Sequence, residues 1–431
     1  MTTTQPTDPT TAAAPPAAAA TGSAPLSRNT NYRLLWGGQL LSEFGFNATT
    51  IAFPLVVLAV TGSATGSGIV LGTIAAAQLL AGLPAGTLVD RVSRKKVMLV
   101  CEAAQALCAA SLVLAMWLKV FSLPHLVAVA AVFGVCAALF EPAEDATLPN
   151  LVPPEQLPTA VALNSGRASL GQLSGTAAGG FLFAVGRFVP FAVDTVTHSL
   201  AFVALSLLRV PRAAVAAEEE DPPGDRHFGR EMAAGLRWVW GQRHIRVTAL
   251  CAVVLNLFFS AFYLVVIVLA QRRGVPSGQI GVMAAMLGVG GLVGALAAPY
   301  LHRLVSPYLS IAAVFWVLTA LTPLAILAHN GYVMGALFFG MALLPPTANT
   351  TIMTEQLLLT PDELRGRLSG VIGLATGVAA AAGPMLGGVL MAVLAPGRAV
   401  LVCAAGMALA TLLVTFSPTL RGFPGRETAD S

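Results

Sequence analysis

Hydrophobic positions in this chain come in long unbroken blocks, and the polar positions between them form short turns. Twelve such blocks follow one another, at roughly 34 to 60, 67 to 89, 97 to 119, 124 to 143, 160 to 186, 189 to 209, 247 to 271, 279 to 301, 308 to 328, 332 to 356, 367 to 394 and 399 to 417. About 20 apolar residues coiled as an α-helix span the hydrocarbon core of a bilayer, and only a helix satisfies its own backbone there. The pattern predicts an all-α polytopic membrane protein with twelve transmembrane helices.

Composition agrees, since 56% of the 431 residues are hydrophobic, only 10% are charged and the mean hydropathy is +0.78. Soluble domains carry about 25% charged residues. The five cysteines lie inside apolar blocks without C-x-x-C spacing and read as small hydrophobes. An even number of spans puts both termini on one side. Eighteen of the 24 Lys and Arg residues fall on that side, five on the other, and Arg167 lies within a span. Both termini are therefore expected on the cytoplasmic face of a cell membrane, and the net charge of +4 reports topology rather than affinity for nucleic acid.

Residues 1–27, mostly Thr, Ala and Pro, are expected to be a disordered tail, as are residues 418–431. Residues 28–209 and 247–417 hold six spans each. Between them, residues 210–246 open with an acidic AAEEEDPPGD stretch and continue with Phe228, Met232 and Leu236 at helical spacing beside Arg230, Arg237, Arg243 and Arg246. That pattern suits an amphipathic helix, either on the inner leaflet or packed on the bundle. An internal repeat links the halves. LVPPEQLPTAVALNSG (151–166) and LLTPDELRGRLSGVIG (358–373) each precede a span with a small-residue box, GTAAGG or GPMLGG. The offset of about 207 residues matches span 5 to span 11 and predicts two pseudo-symmetric six-helix bundles.

The densest charge lies between spans 2 and 3, in Gly86-x-Leu88-x-Asp90-Arg91-x-x-Arg94-Lys95-Lys96. This stretch resembles the signature of the major facilitator superfamily, and the resemblance extends from residue 31 to the end of span 12, nearest to the drug and siderophore exporter branch. It implies a gate at the cytoplasmic side. In it Asp90 faces the start of span 11 and the basic residues join a network with Asp362, Arg365 and Arg367. A carboxylate at a helix N-terminus is stabilised by about 0.3–1 kcal/mol, and Thr360, Pro361 and Glu363 mark such a start. The equivalent turn of the second half keeps Arg303 but has His302 in place of the aspartate. In span 5, Gly171, Gly175 and Gly179 resemble the antiporter box of exporters, with Ala162 and Thr176 departing from it; close helix packing alone also explains glycines four apart.

Charges inside spans are costly unless paired or used. Gln39, Glu43 and Asn47 recur at i, i+4 and i+8 in span 1, one polar stripe near mid-membrane. The resemblance sets span 1 against the central cavity, so Glu43 is the candidate proton-coupling carboxylate; a hydrogen bond to a neighbouring span is the structural alternative. Asp194 and His198 fit a pair within span 6. Glu102 and Gln105 are expected to face the arginines of the charged turn, and Arg167 to balance Glu141, Glu144 or Asp145.

The second half is softer. Asn256 precedes an aromatic run, Met283 and Met286 offer adaptable surface, and Pro345 and Pro346 interrupt span 10 ahead of Asn349 and Thr350. Greasy, adaptable walls suit amphipathic ligands. No P-loop, H-E-x-x-H or G-x-S-x-G motif is present, so no ATPase, hydrolase or metalloenzyme is indicated and no cofactor is expected. The reading is a monomeric, proton-coupled exporter of a small hydrophobic or amphipathic compound. An importer or facilitator on the same fold, or a non-transporting receptor or scaffold, are the alternatives.

Overall fold

A computed structural model describes residues 25–209, 236–238, 240–360 and 362–417; the side chains of Thr87, Asp90, His244, Glu355, 357–359 and 362–367 are outside that description. Most of the linker carrying the expected amphipathic helix, and both expected tails, lie outside the described residues.

Among the described residues the chain is helical, without strands. The first half contains α1 (Thr30–Thr61), α2 (Ala64–Arg91), α3 (Arg94–Trp117), α4 (Leu123–Thr147), α5 (Leu157–Val185) and α6 (Val189–Leu207). The second contains α7 (Arg243–Arg272), α8 (Ser277–Leu304), α9 (Pro307–Leu321), α10 (Gly331–Ala342), α11 (Pro345–Leu359), α12 (Asp362–Val393) and α13 (Pro396–Phe416). Together α10 and α11 make one span, broken where Pro345 and Pro346 withhold two backbone donors. Eleven spans are long and apolar enough to cross a membrane by themselves. The twelfth, α5, is diluted by Gly, Ser and Thr and by Arg167; it packs along α1 on one side and α8 on the other.

Local chemistry sets the helix ends. At the α1–α2 turn, Gly62 takes φ 66° and the Ser63 hydroxyl accepts from Gly66 N–H, an αL cap followed by an N-cap. In the middle of α1, Pro54 interrupts the hydrogen-bond ladder. The carbonyls around it accept from other helices, Pro54 O from Ser67 Oγ at 3.2 Å and Leu55 O from Gln271 Nε2 at 3.4 Å. The core is aromatic: Phe53 stands edge-on to Phe133 and Phe191, and Phe262 edge-on to Phe338.

In the first half α1 packs on α5 and α6, α3 on α4 and α6, and α2 on α4; in the second, α7 packs on α12 and α13 and α8 on α10. The halves meet along two crossings, α2 with α12 and α5 with α8, which the pseudo-twofold exchanges. Both crossings are made of small residues. A Cβ added to Gly388 would lie 2.7 Å from Ala64 O; one added to Gly180 would lie 2.6 Å from Gly281 N. Further along, Leu79 meets Gly377 and Leu173 meets Gly288. Toward the end bearing Arg91 to Lys96, here the basic end, the crossings part: Gly82, Gly86, Gly166, Gly291 and Gly373 have nothing within 4 Å of an added Cβ. The molecule is closed at its far end and open at its basic end.

This asymmetry predicts opposite outcomes for two glycines. Gly180→Val forces α5 and α8 apart, and overpacking of this kind costs about 1–3 kcal/mol. It should lower the thermal unfolding midpoint of the detergent-purified protein, whereas Gly291→Ala should not. An unchanged midpoint for Gly180→Val would contradict the close crossing.

Candidate functional site

The polar stripe of α1 faces two neighbours. Gln39 is buried and donates from Nε2 to Glu102 Oε1 on α3 at 2.9 Å. Glu43 points toward α5, where Arg167 Nη2 donates to its Oε1 at 3.2 Å. Asn47 donates from Nδ2 to the backbone carbonyl of Glu43 at 2.8 Å. All three line a cavity of about 520 Å³, walled also by Glu141 and Glu144 of α4 and Arg167 of α5.

Arg167 is the hub of this cavity. Its Nη1 donates to Glu144 Oε1 at 2.6 Å and its Nη2 to Glu144 Oε2 at 3.0 Å, a bidentate pair, while the same Nη2 reaches Glu43. The Arg167 and Glu144 side chains are 4% and 9% exposed, against 26% for Glu43. Glu43 is thus the outer, replaceable member of a buried triad. Its Oε2 has no hydrogen-bond partner among the described residues. The α1–α5 packing explains how Glu43 reaches Arg167: an added Cβ on Gly171 would sit 2.7 Å from Glu43 Cβ, and one on Gly175 3.0 Å from Asn47 Cβ. The glycine box of span 5 therefore packs α5 on α1, and Gly180 at its end packs on α8.

A second ionisable group lies behind the first. Glu102 does not face the arginines of the charged turn, as expected from its place one turn into span 3. Buried at the α1–α3–α6 junction, it accepts from Ser42 Oγ and Gln39 Nε2 and lies 2.6 Å from His198 Nδ1. Gln105 turns back on its own helix, 3.4 Å from Cys101 O. Asp194 and His198 do pair, Oδ1 to Nε2, at 3.2 Å.

Toward the second half, a cavity of about 560 Å³ lies between the halves, lined by Ile51, Leu71, Ile74, Phe259, Tyr263 and their neighbours. Asn47, Gln78 and Gln172 border both cavities. The two glutamines were legible as isolated polar residues in apolar spans 2 and 5. Asn256 and Asn349 line a separate, largely apolar cavity of about 330 Å³ within the second half. Thr350 lines none of these cavities and donates to Pro346 O at 2.9 Å. Met283 is fully buried rather than on a cavity wall.

At the basic end, Arg94 Nη1 donates to Ala146 O and Lys95 Nζ to Ser206 O and Leu208 O. Both cations thereby cap the C-terminal ends of α4 and α6 in their own half, where the helix dipole favours them. Arg91 and Gly86 are exposed. The side chains of Asp90, Asp362, Arg365 and Arg367 lie outside the described residues. Thr360 donates to Gln356 O.

Two six-span halves enclose a cavity between them, and the buried charge hub lies in the adjoining cavity of the first half. The chain matches the family described as transmembrane secretion effector over residues 20–427, and it belongs to that family of the major facilitator superfamily. Multidrug efflux pump Tap of Mycobacterium tuberculosis is 28% identical over 377 residues, 82% of this chain and 84% of that one. Enterobactin exporter EntS of Shigella dysenteriae is 26% identical over 348 residues, 79% and 80% of the two chains. A crystal structure of nucleoside transporter NupG superposes with a TM-score of 0.71 at 11% identity, covering 90% of this chain and 98% of that one, which shows the shared fold. The protein is a multi-pass membrane transporter of small molecules, not an enzyme.

The hub carries a stability prediction. Removing one partner of a buried ion pair typically costs about 3–5 kcal/mol, so Arg167→Leu should sharply lower the unfolding midpoint. Adding Glu144→Leu should restore part of it. If Arg167→Leu alone unfolds at the wild-type temperature, the pair does not hold α4 to α5.

Proposed function

We propose that the protein is a proton-coupled exporter of small hydrophobic or amphipathic compounds, working by alternating access. The observation that carries the reading is Glu43: a half-shielded carboxylate with one free oxygen, at the border of the polar cavity, bound to an arginine that already has a better partner. With Arg167 charged and both glutamates ionised, the triad carries one net negative charge. One proton on Glu43 neutralises it, while Arg167 keeps its two bonds to Glu144. Proton binding therefore weakens the Glu43 tie between α1 and α5 while their glycine packing stays in place.

The central cavity supplies the matching substrate surface, an apolar wall from both halves with Asn47, Gln78 and Gln172 at its polar edge. The excess of basic residues sets the open end in the cytoplasm and both termini with it. Cargo enters from the cytoplasm or inner leaflet, the basic end closes, and the small-residue crossings at the far end part. Closure brings Asp90 to the start of α12. Export rather than uptake is favoured by the relatives, whose names describe an efflux pump and an exporter. One chain encloses the whole pathway, so a monomer in the lipid bilayer suffices.

The reading is tested by expressing the chain in a pump-deficient host and screening a broad toxin and siderophore panel for tolerance and accumulation. For a compound so found, Glu43→Gln should abolish proton-driven uptake into inside-out vesicles while the protein still reaches the membrane in wild-type amount. Undiminished gradient-dependent flux would remove Glu43 from the coupling. Asp90→Asn should slow transport and raise cysteine accessibility from the cytoplasm; unaltered accessibility would refute the gate.

A further inference from the structure

The cluster behind the hub is a buried ionisable site that the cycle above does not use. Glu102 of α3, His198 and Asp194 of α6 are 0%, 1% and 0% exposed. His198 Nδ1 lies 2.6 Å from Glu102 Oε2, and Nε2 lies 3.2 Å from Asp194 Oδ1. An imidazole has two ring nitrogens, and here each faces a carboxylate. Only the doubly protonated ring offers a proton to both. Even then the site holds two carboxylates against one imidazolium, leaving one negative charge in a dry place. Among the described residues His198 is the one cation paired with either carboxylate. From α1 the facing groups are the neutral Gln39 and Ser42, and from α4 the ring of Phe133 stands edge-on at 6.2 Å. The thiols of Cys101 on α3 and Cys136 on α4 are the remaining titratable neighbours. Neither Asp194 oxygen has a well-directed hydrogen bond among the described residues, although the side chain is completely enclosed.

The site borders the polar cavity. Glu102, His198, Gln39 and Ser42 all line the 520 Å³ cavity, and the Ser42 hydroxyl lies within hydrogen-bond reach of both Glu102, at 3.1 Å, and His198 Nδ1, at 3.0 Å. It is also adjacent to the hub through α1, since Ser42 and Glu43 are consecutive.

We propose that Glu102, His198 and Asp194 form a second proton-binding site, separate from Glu43. It takes one proton from cavity water by way of Glu102 and holds it on the Glu102 or Asp194 carboxyl beside the imidazolium. The proton added is the only species transferred, and the cluster passes from one net negative charge to none. A neutral cluster loosens the hold of Glu102 on Gln39 and Ser42, so two sites, one on each side of α1, respond to protons. The role in transport rests on the coupling proposed above; the proton site itself does not.

Infrared difference spectra of the purified full-length protein, recorded between high and low pH, read the carbonyl stretch of buried carboxylic acids directly. Glu43→Gln should remove about half of the titrating band. In that background Asp194→Asn or Glu102→Gln should change the remainder, and His198→Gln should abolish the accompanying shift of the imidazolium band. Complete loss of the band in Glu43→Gln alone would overturn the second site, as would a remainder indifferent to both carboxamide variants. The comparison of wild type with Glu43→Gln decides this even where a cluster variant misfolds. Absence of proton-driven flux in the wild type would instead count against the transport cycle and leave the infrared result standing.

Discussion

An ion taken out of water must be neutralised by what surrounds it, and the arrangement of the first half follows from that constraint. Arg167 sits on the only span too polar to qualify as membrane-crossing by itself, and its guanidinium is satisfied by Glu144 on α4 and Glu43 on α1. Three helices are thereby tied at one point. Because the arginine can make its bidentate pair with Glu144 alone, the third member is free to change state without exposing an unpaired cation. A buried pair with an optional third partner is the arrangement that the proposed proton switch requires.

Among the described residues the second half shows no counterpart to this buried ion pair. Its cavity is lined mainly by apolar residues such as Ile311, Phe315, Leu318 and Met341, with Thr248, Asn256 and Asn349 among the polar ones. The two halves share a fold but differ in their cavities, that of the first half holding the charged residues and that of the second being largely apolar. They are joined through small residues, whose close approach packs the crossings tightly at the far end, while the glycines toward the basic end have open space beside them. Two such crossings related by pseudo-symmetry can part at one end as they meet at the other, which is the mechanical requirement for alternating access.

Much of this was legible in the sequence. Block length alone indicated the twelve spans, α5 included, although Gly, Ser, Thr and Arg167 dilute its hydropathy. The spacing of Gln39, Glu43 and Asn47 marked the face of α1 that lines the polar cavity, and the prolines at 345 and 346 marked the break in span 10. Partners were harder. Arg167 was matched to the end of α4 by nearness along the chain, yet its bond to Glu43 joins residues 124 apart. Glu102 was assigned to the nearest arginines for the same reason, whereas the lateral order of helices brings it to His198, 96 residues away. Periodicity tells which face of a helix is polar; only the packing order tells what that face meets. In the second half the uncharged polar residues gave no such periodic signal, so Thr350 and Met283 were grouped with residues that line cavities although neither does.

The central claim is that protons shift the molecule between an opening at the basic end and one at the far end. Its most direct test is a pair of spin-label distances in lipid nanodiscs, one between Gly82→Cys and Gly373→Cys at the basic mouth, the other between Thr61→Cys and Val393→Cys at the far end. Lowering the pH should change the two distances in opposite directions, and Glu43→Gln should hold them at their low-pH values. Distances that stay fixed across pH, or that lengthen and shorten together, would contradict the account.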